Sequence, residues 1–354
     1  MSLPTYVFRA LSVFGVCALW GLIAVNGTLV LMLKTTYYGV YPTGTAHNFT
    51  WTGIWPLDFM LGQVICFFYS IFTLAELPDD GPFLLGADLL IALIVFSMMT
   101  LAEDRRNRKT GALRVPVWWQ SLWNMFGAAC VLPVYLSYYV SERGRTTPLR
   151  RMPAVQAQAL PFSALWALVI NLPTLLPGLL LSTPYRIQAG VALWLLGPYT
   201  LGPVQDLIAN FLLPLLPGSF PSGGFKNPTK AAYTILGVIS GLVHVAVVLA
   251  AVVDTETSVA RVYLPQHSRL VPGTRSALIE GAMLFTQYDY IGITLTTLAA
   301  GFFMRPGMSG VTNGFRKMVA LTALFGPGAG MAWLLCKKEN ELDGKGDGVG
   351  AKSG

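Results

Sequence analysis

Asp289 is the carboxyl best placed to do chemistry, because it sits near the middle of an apolar run from Leu278 to Phe303. An ionisable group at mid-membrane costs about 2.5–3.5 kcal/mol on insertion scales, so one that is present is a functional candidate by default. Gln287, Tyr288 and Tyr290 surround it in a polar and aromatic QYDY step. A carboxyl held in a low dielectric without a cation keeps its proton near neutral pH, the state needed to open an epoxide or protonate an alkene. The competing reading is a buried Asp hydrogen-bonded to a Tyr or a main-chain carbonyl to fix helix packing. Asp58, Glu76, Asp206 and Glu280 lie within about two turns of a run's end, in reach of headgroups. Asp88 falls on the first turns of its run. His244, in the middle of another, reads as a proton shuttle or general base, or equally as an interhelical hydrogen bond.

Aromatic residues crowd the same stretches, and a ring face stabilises a developing cation without offering it a nucleophile. Trp118 and Trp119 stand near one interface and Tyr138 and Tyr139 near the other, as an aromatic belt would. Trp123 and Tyr135 lie deeper and are the better cavity candidates.

Other chemistries lack their parts. Ionising a prenyl diphosphate needs clustered carboxylates to hold magnesium, and the one Asp-Asp pair, Asp79-Asp80, belongs to neither a DDxxD nor an NxxxDxxxD array. Di-iron oxygenases need many histidines, whereas this chain has 3. Neither a phosphate-binding Gly-rich loop nor GxSxG nor HExxH is present. The four cysteines fall inside apolar runs with no CxxC and read as small core hydrophobes. No metal and no cofactor are expected.

The elements that must position these residues are membrane helices. Of 354 residues, 54% are hydrophobic and 12% charged, half the charged share of a soluble domain. Mean hydropathy is +0.57. The net charge of +7 lies mostly in short segments between apolar runs, where it faces lipid headgroups, and nucleic acid is not an expected partner. A span needs about 20 apolar residues. Nine runs qualify: Ser12–Leu33, Leu57–Leu77, Phe83–Leu101, Val117–Val140, Leu160–Leu181, Ile187–Leu216, Ala231–Val253, Leu278–Phe303 and Met318–Cys336. The sixth is interrupted by Gly197-Pro198 and Gly202-Pro203, as a kinked helix or a span with a re-entrant piece. The expected fold is an all-α polytopic transmembrane bundle of eight to nine spans. Residues 1–336 form one membrane domain, and 337–354 a disordered Gly/Lys-rich tail.

Basic residues divide nearly evenly between the two sides, slightly favouring a cytosolic C-terminus. The sequon Asn48-Phe49-Thr50 lies in a polar loop and is a glycosylation site if that loop is lumenal. Lys34 to Pro56 and Asp254 to Ala277 are long enough to form lids, although connecting loops of this length are usually no more than that.

Three segments carry a resemblance. Trp55 to Leu61 leads into Phe67-Phe68, Trp123 to Gly127 leads to Leu132-Pro133-Val134-Tyr135, and Gln287 to Tyr290 follows. In this order, and with this number of spans, the chain resembles fungal integral-membrane terpene cyclases of meroterpenoid biosynthesis, of the ascofuranone, ascochlorin and macrophorin type. The resemblance implies protonation of a terminal epoxide or alkene on a farnesyl chain attached to an aromatic or polyketide head, then ring closure and proton loss. Asp289, Asp58, Trp123 and Tyr135 stand in the matching segments.

These readings converge on a metal-independent terpene cyclase of the endoplasmic reticulum membrane acting on a prenylated aromatic substrate. Asp289 is the proposed acid, Asp58 the second carboxyl, with His244 and Glu280 as further catalytic candidates. Trp123, Tyr135, Tyr288 and Asp206 are the substrate-binding candidates. The alternative is a proton-coupled transporter or exporter of an apolar metabolite, in which the same buried Asp and His carry the proton. A weaker third reading is a membrane partner that gathers other enzymes.

Overall fold

The computed structural model describes residues 2–106, 115–143, 152–215, 227–304 and 311–347. In chain order the helices are α1 (Leu3–Val16), α2 (Leu22–Val25), α3 (Thr28–Tyr38), α4 (Trp55–Phe72), α5 (Gly81–Arg106), α6 (Pro116–Phe126), α7 (Ala128–Arg143) and α8 (Ala154–Val169). There follow α9 (Leu172–Leu179), α10 (Pro184–Trp194), α11 (Gly197–Leu207), α12 (Pro228–Val253), α13 (Val259–Tyr263), α14 (Ala277–Phe303) and α15 (Val311–Asp347). A π-helical turn, Cys17–Gly21, joins α1 to α2. Among the described residues no strand forms, and the only strand-like pairing is a single bridge between Val40 and Ala46.

Six helical segments among the described residues are long and apolar enough to cross a membrane: Leu3–Val25, Trp55–Phe72, Gly81–Arg106, Ala154–Leu179, Pro228–Val253 and Gly314–Asn340. Hydropathy alone suggests eight or nine, and three runs account for the difference. Val117–Val140 is divided between α6 and α7 at Gly127. Ile187–Leu216 becomes α10 and α11, each 11 residues and so about 16 Å long, half a hydrocarbon core. The third is α14, which at 27 residues has the length but carries Glu280, Gln287 and Asp289 in its interior.

Helix α14 explains how such a segment is tolerated. It packs against α1, α3, α4, α5, α7 and α15, so its polar side chains meet protein rather than lipid. Helix α5 is likewise buried along nearly all of its length, and α12 packs on α5, α8 and α15. The main core cluster draws on α1, α5, α7, α8, α12, α14 and α15. A second cluster joins α4 and α10 to α5 and α14. Helix α15 continues through Asp347 and so takes in the first part of the segment 337–354 expected as a disordered tail; 348–354 lie outside the described residues.

Candidate active site

The break between α6 and α7 organises the site. Gly127 has φ 90° and ψ 140°, a conformation that costs a residue without a Cβ little, and it separates two helices inside the apolar run Val117–Val140. The first main-chain N–H groups of α7 then have no partner within their own helix, a costly state away from water. Asp289 supplies the acceptors: the Ala129 N–H donates to its Oδ1 at 2.6 Å and the Ala128 N–H to its Oδ2 at 3.2 Å. Gly292, one turn further along α14, permits this approach, since a Cβ there would collide with that of Ala129. Asp289 as a whole is 5% exposed.

Asp289 lines a largely apolar cavity together with Trp20, Gln63, Phe67, Phe68, Trp123, Trp194 and Phe285. The α4 contribution follows helical spacing, with Gln63, Val64, Phe67 and Phe68 on one face. The ring of Phe285 meets Phe67 at 4.9 Å and Trp20 at 6.1 Å, both edge to face. Trp194 meets Phe68 at 4.8 Å. The indole N–H groups are turned to protein acceptors: Trp20 donates to the Phe126 carbonyl and Trp194 to Asn171 Oδ1. A second, smaller cavity adjoins the first, sharing Leu90, Leu93, Trp123, Asn124 and Trp194, and its wall adds Ser97, Gln120 and Asn171.

The other residues singled out from sequence are distributed elsewhere. Trp123 joins Asp289 on the cavity wall. Asp58 does not: its Oδ1 accepts the N–H groups of Trp51 and Thr52 and the Thr52 hydroxyl, and its Oδ2 the Gly53 N–H, fixing the turn before α4. Glu280 receives a bidentate pair from Arg261 at 2.9 Å for each bond, and the same guanidinium donates to Asp79 at 3.0 Å. Asp79 also takes Arg269 Nη2 at 2.7 Å. This network, with Gln287 Nε2 donating to the carbonyls of Arg261 and Leu264, straps the 254–277 segment to α14. Asp206 is held by Arg105 at 2.9 Å and Gln156 at 3.1 Å, away from both cavities. Tyr135 is fully buried, edge-on to Trp119 and stacked on Tyr139. Tyr288 pairs its hydroxyl with His267 Nε2 at 2.9 Å. Asn48 is half-buried in the loop before α4, its main-chain N–H donating to Gln188 Oε1.

His244 belongs to a second polar cluster. Its Nδ1 lies 2.7 Å from Asp88 Oδ2, which also accepts the hydroxyls of Tyr263 and Tyr290 at 2.8 Å each. Burial, and then the neighbouring Asp88 carboxylate, hold the Tyr263 phenol far above its ordinary pKa. Tyr290 follows Asp289 directly, so α14 turns one carboxylate toward α7 and a phenol toward a second carboxylate on α5.

Sequence reasoning missed Gln63 and the joining of Asp88 to His244. The available signal for Gln63 was an amide one turn before Phe67 in an apolar run. Asp88 and His244 are 156 residues apart, and no local pattern announces the pair. Among the described residues no group of three or more His, Cys, Asp or Glu is arranged to hold a metal ion.

The fold and the site define a helical membrane protein that turns a buried carboxyl and several aromatic rings toward one apolar cavity. The chain belongs to the CtvD-domain family, which it matches over residues 4–342. It is similar to a protein named terpene cyclase DEP1 from Fusarium langsethiae, with 27% identity over 366 residues covering 94% of this chain and 97% of that one. A protein of the same name from Alternaria brassicicola is 25% identical over 368 residues, covering 96% and 99%. Terpene cyclase sdgD from Emericella nidulans is 23% identical over 265 residues, covering 72% of this chain and 70% of its own. No solved structure matches.

Proposed function

We propose that this protein is a membrane-bound terpene cyclase that closes rings on an epoxidised or unsaturated farnesyl chain borne by an aromatic head, without a metal. The observation that carries the reading is Asp289, the carboxyl on the wall of a cavity otherwise built largely of rings and aliphatic side chains. The names of its relatives support the reaction class.

In this mechanism Asp289 gives its proton to the terminal epoxide oxygen or alkene. Bond breaking or protonation leaves a tertiary cation, which an internal alkene attacks to form the new carbon–carbon bond. Trp20, Phe67, Trp123, Trp194 and Phe285 offer ring faces to the migrating charge and keep water from it. Loss of a C–H proton, taken up by the Asp289 carboxylate, ends the sequence and restores the acid. The two N–H donors occupy one lone pair on each Asp289 oxygen, so the carboxyl keeps its position in both protonation states.

Asp58, Glu280 and Asp206 are assigned to holding loops and helix ends, and Tyr135 and Tyr288 to packing. The aromatic or polyketide head occupies the adjoining cavity, whose Ser97, Gln120 and Asn171 offer the polar partners such a head needs. The protein resides in the endoplasmic reticulum membrane, and a glycan at Asn48, read as a mobility shift removed by endoglycosidase, would place the loop before α4 in the lumen.

Microsomes containing the protein, given an epoxyfarnesyl phenol, are expected to yield a product of unchanged mass and shifted retention that control microsomes do not make. Absence of any such isomer across a panel of head groups would sink the proposal. One observation favours a transporter: α6/α7 and α15 are both interrupted beside α14, at Gly127 and Gly326, as discontinuous helices are at transport sites. Conversion in detergent, with no sealed compartment, separates the two.

A further inference from the structure

Gln63 lines the Asp289 cavity from α4, and both polar atoms of its amide, Oε1 and Nε2, are buried without a hydrogen-bond partner in the protein. That is unusual for a half-buried glutamine, since an amide removed from water without a partner is destabilising. Of the other polar groups of the wall, Thr286 donates to the Ala282 carbonyl and the Asp289 oxygens accept the N–H groups of α7, while Asn124 adds a half-buried amide. An unpaired donor and acceptor on one side chain, in an apolar chamber shared with one carboxyl, are arranged for a ligand that both accepts and donates a hydrogen bond.

Resting on the cyclase reading above, we infer that Gln63 is a specificity-determining residue which selects a terpene chain whose reacting end carries an oxygen, an epoxide rather than a bare alkene. A hydrocarbon terminus would leave both amide atoms unpaired in the complex. An epoxide oxygen accepts from the Gln63 Nε2–H, which orients it toward Asp289 and polarises its C–O bond. When the Asp289 proton moves to that oxygen, the C–O bond breaks and its electron pair stays on oxygen. The carbon so exposed is attacked by the chain alkene. The new hydroxyl then has a hydrogen to give, and Gln63 Oε1 accepts it. One amide thus serves the oxygen before and after ring opening, while the chain's remaining carbons meet rings and aliphatic side chains.

The test is binding, which needs no turnover. Two phenols are titrated into the detergent-purified full-length protein while tryptophan fluorescence is followed, since Trp20, Trp123 and Trp194 face the cavity. Both carry a farnesyl chain with its inner alkenes reduced, one ending in the epoxide and the other in the corresponding saturated carbons, so that no ring can close. Wild-type protein is expected to bind the epoxide at least about tenfold more tightly. Gln63→Leu and Gln63→Met are expected to abolish the preference, retain affinity for the saturated phenol, and melt at or above the wild-type temperature, because an unpaired buried amide has been removed.

A preference that survives both substitutions overturns the inference, as does wild-type binding of both phenols with equal affinity; either leaves the cyclase reading standing. Variants that melt lower and lose both ligands together also overturn it, since the amide would then be structural. If the wild type binds neither phenol, the cavity assignment fails and the inference fails with it.

Discussion

Asp289 and Ala129 are joined by a 2.6 Å hydrogen bond from main chain to carboxylate, across 160 residues, and that bond holds the start of α7 against the middle of α14. The same carboxyl therefore carries two duties, one architectural and one chemical, and substitutions separate them.

Asp289→Asn keeps an oxygen able to accept from α7 but has no proton of acid strength to give. Its cyclisation rate is expected to fall by roughly 10²–10⁴-fold, with a smaller drop in melting temperature than for Asp289→Ala, since one of the two α7 N–H groups loses its acceptor. Asp289→Ala removes both acceptors and should also destabilise the protein by about 1–3 kcal/mol. Product chromatography and thermal melts on the two variants check this together; wild-type turnover by Asp289→Asn would take the residue out of the mechanism.

Trp123 stands where the two cavities meet. Replacing it with Leu removes a ring face and is expected to slow cyclisation by roughly 2- to 30-fold, with Phe intermediate. A hydrated by-product, heavier by one water, should appear as the cation becomes reachable. Tyr135→Phe, on a residue outside both cavities, should leave rate and product unchanged. Mass-resolved product profiles distinguish these outcomes.

Arg261 holds two buried carboxylates at once. Arg261→Met leaves Asp79 and Glu280 in the interior without that cation and should cost about 3–5 kcal/mol. Glu280→Gln, which keeps the shape and retires one charge, should cost less. Activity per folded molecule is expected to match wild type for Glu280→Gln, so yield and turnover must be measured separately; a folded Glu280→Gln protein that is inactive would return Glu280 to the chemistry.

His47 gives a pH dependence of known sign. Its Nδ1 is 3.0 Å from the Tyr41 hydroxyl in the loop before α4, and burial pushes the imidazole down to about 4. An unfolded chain takes up this proton near its ordinary pKa of about 6.5, which the fold resists. The stabilisation is therefore complete above about pH 6.5 and is lost as the pH falls toward 4. Melting temperatures at pH 7.5, 6 and 5 should fall more steeply for wild type than for His47→Gln; parallel curves would refute it.

Helical class, membrane setting and the prominence of Asp289 were legible in the sequence because each rests on local pattern: apolar runs, their lengths, and a carboxyl standing inside one. The interruption of one run at Gly127 was not. Glycine is common in membrane helices, and what makes this one a break is the acceptor brought from α14. Hydropathy also makes a candidate of any carboxyl inside an apolar run, and on that ground Glu280 and Asp206 enter the site although both lie near a run's end. Their guanidinium partners, Arg261 and Arg105, come from other segments, Arg105 from 101 residues away. Pairing of that kind is a property of the assembled bundle, as is the isolation of the Gln63 amide.

Helix α15 bends at Gly326-Pro327, where Gly326 has φ 79° and a Cβ would stand 3.0 Å from His244 Nδ1 and 3.2 Å from the Tyr290 hydroxyl. The bend sits over Asp88, His244 and the two phenols that share a single carboxylate oxygen. A nascent chain that has inserted α5, α12 and α14 but not yet α15 presents that polar group to hydrocarbon, so the last helix is the seal of the bundle. A protein cut short before Gly326 is thus expected to leave a carboxylate facing lipid and to lose stability with it.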